Sequence, residues 1–309
     1  MRQGLYAFAL FAAGCGYTPG TAERDDAGPD DARIDSPIDA RIDTMMIDTM
    51  IDTPMAVDTD GDGVVDGSDN CPADANGNQR NHDMDAKGDV CDRCPHLNDN
   101  ADPDGDNDGV GNACDPRPNT AGDSIALFEG FYDASSITTW TANGGTWVVA
   151  NGTLNQSSTA ATDVMLVAPL NLTRAAVTTA AHVNGFGTSS AGNLFTYPHV
   201  SVTAGVASGQ GYWCSVLDDP GGGDKIYAST DWFGVSADYP EAPWPGTFAP
   251  GSDVRVTVAQ VGSNNLCTVV QGGTSANVSG SMGPTTGAVQ VQTRTAAASF
   301  DYFFVVSIP

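Results

Sequence analysis

A chain of 309 residues with 38 acidic and 12 basic side chains carries a formal net charge of −26, and only Glu23, Glu129 and Glu241 among the acids are glutamate. Such a polyanion repels nucleic acid and anionic lipid and attracts divalent cations. Residues 16–122 hold 26 acids against seven Lys and Arg, and 123–309 hold 12 against four, so the N-terminal third is where the charge concentrates.

The first fifteen residues read as a processing signal. Arg2 supplies a short positive region, Leu5 to Ala13 a mostly apolar run, and Ala12-Ala13-Gly14-Cys15 a small-residue cleavage site. The run is too short to span a bilayer. It resembles a bacterial lipoprotein signal, although Ala12 stands where leucine is commonest. The resemblance implies export, acylation of Cys15 and a lipid anchor at the cell surface, with the outer membrane as the expected location. An ordinary secretion signal is the alternative. Residues 16–57 follow as an Asp-rich linker in which Ile34, Ile38, Ile42, Ile47 and Ile51 each precede an aspartate. Spacing near four suggests a helix, but Asp is a poor interior residue, like charges at i,i+4 repel, and Pro37 and Pro54 interrupt. The linker therefore reads as a disordered stalk.

Between Asp58 and Asp115 one cassette is written three times: DTDGDGVVDGSDNCP, NGNQRNHDMDAKGDVCD and DPDGDNDGVGNACD. Carboxylates fall at alternate positions, with glycines for sharp turns and a cysteine near the close of each unit. Oxygen ligands at that spacing suit a hard cation such as Ca²⁺. The pattern resembles thrombospondin type-3 calcium repeats over residues 58–122. That resemblance implies ligands at Asp58, Asp60, Asp62, Asp66 and Asp69 in the first unit. In the second it implies Asn81, Asp83, Asp85, Asp89 and Asp92, with Asn76 and Gln79 also in matching places. In the third it implies Asp102, Asp104, Asp106, Asp108, Asn112 and Asp115. Asn81 replaces an aspartate and Ala86-Lys87 the usual Gly-apolar pair, so the middle unit is expected to bind most weakly.

This segment has few apolar side chains and no core to offset chain entropy, so metal ions and disulfides would have to shape it. The chain has seven cysteines. The four in the repeats allow three connectivities, and the family pattern, which links cysteines twenty apart, implies Cys71–Cys91 and Cys94–Cys114. A solvated acidic loop, an EF-hand at Asp58 to Asp69, a redox CxxC at Cys91/Cys94 and a zinc site are the competing readings. An EF-hand wants Glu at position twelve, and a zinc ribbon wants a second CxxC knuckle.

From about residue 123 the composition turns to Thr, Val, Ser, Gly and aromatics in short runs between Gly- and Pro-rich turns. Expected strands are Ser124–Glu129, Thr146–Ala150, Asp163–Ala168, Ala175–Val183, Val200–Val206, Gly211–Leu217, Asp253–Val261, Leu266–Gln271, Ala288–Thr295 and Phe300–Ile308. About ten to twelve strands without a convincing helix indicate a mainly β protein with a C-terminal antiparallel sandwich. The phrases FYDASSITTWTANGGTWVVANGTLNQS, GYWCSVLDD and SFDYFFVV resemble concanavalin A-like or laminin-G-like jelly rolls over 123–309. That likeness implies a Cys214–Cys267 disulfide and core roles for Trp140, Trp147, Trp213 and Phe303. Within Tyr227–Trp244, the aromatics Tyr227, Trp232, Phe233, Tyr239 and Trp244 are candidates to stack on sugar rings.

No catalytic constellation stands out. The two glutamates of this region are far apart in sequence, and no Gly-x-Ser-x-Gly elbow, HExxH or P-loop occurs. The expected function is a non-catalytic, calcium-binding surface lipoprotein whose acidic spacer presents a jelly-roll module to a glycan or a surface protein. A polysaccharide-active glycoside hydrolase on the same stalk, or a purely structural protein, are the alternatives. Asp218, Asp219, Asp224 and Asp231 are the carboxylates such a hydrolase would draw on.

Overall fold

In a computed structural model, which describes residues 56–189, 196–207, 210–231, 240–281 and 286–309, alternating apolar and polar runs from Ser124 onward form strands. The signal, Cys15 and nearly all of the linker lie outside the described residues. In chain order the strands are β1 (Ser124–Glu129), β2 (Thr141–Asn143), β3 (Trp147–Ala150), β4 (Thr153–Gln156), β5 (Asp163–Leu172), β6 (Ala175–Phe186), β7 (His199–Ala207) and β8 (Gln210–Leu217). They continue as β9 (Lys225–Asp231), β10 (Glu241–Pro243), β11 (Asp253–Val261), β12 (Asn264–Gln271), β13 (Thr274–Ser281), β14 (Gly287–Arg294) and β15 (Ala296–Ser307). A 3-10 turn, Ala134–Ile137, is capped by the Asp133 carboxylate.

The strands make two antiparallel sheets stacked as a jelly-roll sandwich. Sheet one runs β13-β12-β11-β6-β15-β4-β3, with β1 also paired to β15, and sheet two runs β10-β9-β8-β7-β14-β5-β2. The period-two rule places alternate residues in the space between them. Val200, Val202 and Ala204 of β7, Val289 and Val291 of β14, and Val254, Val256 and Val258 of β11 are all buried there. Trp140 packs on Phe303 with ring centroids 5.2 Å apart, and Trp147 on Phe300 at 6.0 Å. Cys214 of β8 and Cys267 of β12 form a disulfide across the interior, tying one sheet to the other.

Strand β15 is apolar on both sides. Phe300, Phe303 and Val305 join the inter-sheet core, while Tyr302, Phe304 and Val306, with Ile308 beyond the strand, belong to a second buried cluster on the outer side of sheet one. The repeats cover that outer cluster. Val110 is completely buried in it, and the rings of His82 and His96 lie against Phe128, Tyr302 and Phe304 at 4.5–5.6 Å. Polar contacts fix the rim: Arg80 to Asp133 at 2.6 Å and the Tyr132 hydroxyl donating to Asp89 at 2.6 Å. The repeats, expected from their position to be a calcium-stiffened spacer, are docked on the sandwich, and Val57–Pro309 is one compact unit.

Within residues 58–123 no described residue is helix or strand. Disulfides Cys71–Cys91 and Cys94–Cys114 staple the repeats, and aspartates supply the remaining order by accepting from backbone N–H groups. Equivalent positions recur every 23 residues: 58/81/104, 60/83/106, 62/85/108, 66/89/112 and 69/92/115. Two kinds of glycine are required. Gly63 and Gly109 adopt φ of 97° and 95°, where a side chain is strained. Gly88 and Gly111 are needed for space, since a Cβ on Gly111 would lie 2.7 Å from the Cys94 Sγ.

Candidate metal centres and ligand groove

The repeat geometry gathers carboxylates into four groups: Asp58/Asp60/Asp62, Asp83/Asp85/Asp92, Asp104/Asp106/Asp108 and Asp108/Asp115/Asp123. In each, one oxygen per residue lies within 4.8 Å of the others. Loop hydrogen bonds aim them. Asp58 accepts from Gly61 and Gly63 N–H, and Asp104 accepts in the same way from Asn107 and Gly109. Oxygens left over inside the groups are buried without a partner: Asp60 Oδ2, Asp83 Oδ2, Asp85 Oδ2, both oxygens of Asp106, and Asp115 Oδ2. A buried carboxylate oxygen without a donor is costly unless a cation meets it. Burial foremost, with neighbouring aspartates adding, pushes the Asp92 carboxyl up to about 7 and Asp115 to about 6. All donors are hard oxygens in tight loops, so the residues fit an oxygen-seeking divalent cation.

Other expected ligands accept backbone N–H groups in the same manner. Asp66, Asp89 and Asn112 occupy one position of the period, and each accepts from a backbone N–H seven residues back, on Thr59, His82 and Gly105. They close the loops. Asn81 accepts from Met84 N–H, Asp69 from Cys71 N–H and the Gln79 amide, and Asp102 pairs with Lys87 at 2.5 Å and Arg93 at 3.4 Å. Asp66, Asp69, Asp89 and Asp102 are not in the four groups, although Asp102 Oδ1 is likewise buried without a partner. Asp123, which lies outside the repeat pattern, is in one of them.

Docking also creates a groove of about 550 Å³ between the repeats and the outer face of sheet one. His96 contributes from the repeats, His182 from β6, Asp253 and Arg255 from β11, and Ser299, Asp301 and Tyr302 from β15. His182 Nδ1 lies 2.7 Å from Asp253 Oδ1. His96 Nδ1 is buried without a partner. Burial, aided by Arg255 and His82, lowers its pKa to about 3, so the ring is neutral. The groove thus combines ring edges, a guanidinium, carboxylates and hydroxyls within a volume typical of small-ligand sites.

The outer face of sheet two is also polar, yet closed. Residues alternating with the core positions, His199, Ser201, Thr203, Trp213, Ser215, Gln290 and Gln292, are all buried. Asp163 pairs with Arg294 at 2.7 Å and accepts from Gln292, which in turn accepts from the Trp213 indole at 3.1 Å. Of the aromatics expected as sugar platforms, Tyr227 lies on this face at 6% exposure with its ring edge-on to His199, and Trp244 is in the inter-sheet core at 5%. Burial rules out both as open stacking surfaces. Trp232, Phe233 and Tyr239 lie outside the described residues.

The two glutamates of the hydrolase reading do not converge. Glu129 is in β1 of sheet one and accepts from Phe131 N–H, whereas Glu241 is in β10 of sheet two and pairs with Lys225. Asp219 accepts from Gly221 and Gly222 N–H and so closes a turn within DDPGGGD, Asp224 accepts from Phe248 N–H, and burial, with Asp224 and Asp219 adding, pushes the Asp218 carboxyl up. The side chain of Asp231 lies outside the described residues.

No family model and no curated protein matches the sequence. Among solved structures, the chain is similar to a carbohydrate-binding module, CBM66, from Bacillus subtilis, at 12% identity and a TM-score of 0.41 over 53% of this chain and 93% of that one. It is similar to a Bacillus subtilis protein of unknown function with a galectin-like fold, at 11% identity and a TM-score of 0.46 over 59% and 95%. Winged bean acidic lectin, complexed with methyl-alpha-D-galactose, aligns at 8% identity with a TM-score of 0.44 over 61% and 100%.

Proposed function

We propose that this chain is a calcium-organised, non-catalytic glycan-binding module, exported and held at the cell surface through a lipid on Cys15. The observation that carries the calcium reading is the set of buried, partnerless carboxylate oxygens recurring at equivalent positions of the 23-residue period. Asp58, Asp60 and Asp62, Asp83, Asp85 and Asp92, and Asp104, Asp106 and Asp108 would hold the ions. Bound Ca²⁺ would supply the charge compensation that lets neighbouring carboxylates remain close.

The glycan reading is supported by the groove, whose lining gathers Arg255, Asp253, Asp301 and Ser299 as hydroxyl-matching polar groups beside His96. Because His96 comes from the repeats, the groove is complete only while they stay docked, and glycan binding should depend on calcium. A glycan array probed with the full chain in calcium and in EGTA tests this. Binding that is lost in EGTA and on Arg255→Ala supports the groove. Binding kept on Arg255→Ala moves the ligand off the groove. Release of reducing sugar would overturn the non-catalytic reading.

A further inference from the structure

We infer that a divalent cation binds where the third repeat meets the sandwich, held by Asp108, Asp115 and Asp123, and that this ion clamps the repeats onto sheet one. The inference rests on the calcium reading of the repeats and adds a ligand that their spacing does not contain. One oxygen from each of the three carboxylates lies within 4.8 Å of the others. Asp115 is only 9% exposed, and its Oδ2 is buried with no hydrogen-bond partner. Asp123 is 2% exposed and directly precedes β1.

The remaining contacts define the charge. Asp108 Oδ2 accepts from Asp123 N–H at 2.7 Å and Gly122 N–H at 3.1 Å, and Asp115 Oδ1 accepts from Arg117 N–H at 2.6 Å. Arg117 is the nearby cation, bound to Asp123 through Nη2 at 2.5 Å and Nε at 3.0 Å. Three carboxylates against one guanidinium leave two negative charges in a closed place, which one divalent ion neutralises.

The first repeat junction is built on the same plan: the amide of Gln79, from the second unit, sits on Asp69, the last aspartate of the first unit, at 2.8 Å. The third unit has no successor, and the sandwich supplies Asp123 instead. Since Ser124 pairs with Ser307 of β15, an ion at Asp123 ties the repeats to the strand whose outer side they cover.

Ion counting by native mass spectrometry on the full chain, wild type against Asp123→Asn and Asp60→Asn, tests the clamp, together with hydrogen exchange of residues 110–123 across a calcium titration. Asp123→Asn is expected to carry one ion fewer and to need about tenfold more calcium, or greater, to protect that segment. If Asp123→Asn matches wild type in count and protection midpoint while the wild type does take up calcium, the clamp is wrong and the calcium reading stands. If the wild type binds no calcium, both fail, and Asp60→Asn will be equally silent. Should Asp123→Asn not fold for want of its Arg117 partner, Asp115→Asn, which keeps the Oδ1 bond, decides by the same two measurements.

Discussion

Val110→Ala is the most direct probe of docking, because Val110 is a repeat side chain fully buried against the sandwich and its neighbours Tyr302, Phe304, Val306 and Ile308 belong to the other half of the contact. Two methyl groups are lost, worth about 1.6 kcal/mol by transfer at about 0.8 kcal/mol per carbon. Incomplete collapse of the cavity raises the cost to about 2 kcal/mol. That would shift the docked-to-undocked equilibrium about thirtyfold. The Val110 N–H bond to Asp108 Oδ1 is a backbone contact and survives the substitution. Native-state hydrogen exchange in saturating calcium, read at repeat amides and at β8 amides, measures the effect. Val90→Ala, at a position 61% exposed, is the control and should change stability by less than about 0.5 kcal/mol. Equal effects of the two substitutions on the repeat amides would refute the docked arrangement.

Replacing both Cys214 and Cys267 by serine opens a 53-residue loop; chain entropy puts the loss at up to about 4 kcal/mol, seen as a lower denaturant midpoint, and an unchanged midpoint would count against a sheet-to-sheet staple. For His96 the folded pKa of about 3 lies below the ordinary 6.5, so as pH falls through 6.5 the unfolded chain takes up the proton first. Stability from this group is therefore full above about pH 6.5 and is lost progressively towards pH 3, by several kcal/mol in all. His96→Leu should flatten that part of the pH–stability curve, and identical curves would refute it. Calcium removal by EGTA should expand the repeats in small-angle scattering and raise binding of a hydrophobic dye as Tyr302, Phe304, Val306 and Ile308 are uncovered; scattering and dye signals that ignore EGTA would contradict this. Gly111→Ala, which meets the Cys94 Sγ and the Asp102 carboxylate at 2.7 and 2.9 Å, should lower the melting temperature by several degrees, and no shift would show that the packing there is loose.

The sandwich is legible because its core strands carry the period-two pattern strongly: VSVTA in β7 and VRVTVAQV in β11 can face a core in only one register. Short or polar strands are not. TAN in β2, EAP in β10 and TSANVSGS in β13 have too few apolar residues to signal themselves, and they form because a longer neighbour offers its hydrogen-bonding edge. The repeat carboxylates are legible by spacing, but spacing does not separate those that converge from those that close a loop. Asp66 and Asp89 match ligand positions and accept from backbone N–H groups, yet neither falls in a converging group. Asp123 carries no signal, since its role is created by the docking. The run YFFVV in β15 contains a further clue. A strand apolar at consecutive positions is covered on both faces, yet the covering segment offers one valine and two histidines rather than a hydrophobic pattern.

Docking joins two segments that are each incomplete alone. The repeats lack a core, and the outer side of sheet one would expose Tyr302, Phe304, Val306 and Ile308 as an apolar strip prone to association. On the proposed calcium reading, ions bound in the repeats would act on the sandwich as well, because only a shaped repeat presents Val110, His82 and His96 together to that strip. If the groove takes a glycan, His96 makes glycan binding and repeat order parts of one equilibrium. Linkage then requires reciprocity: whatever factor calcium adds to glycan affinity, the glycan must add to calcium affinity. A calcium titration with and without a bound sugar has to show equal factors, and a glycan whose affinity ignores calcium cannot be seated against His96.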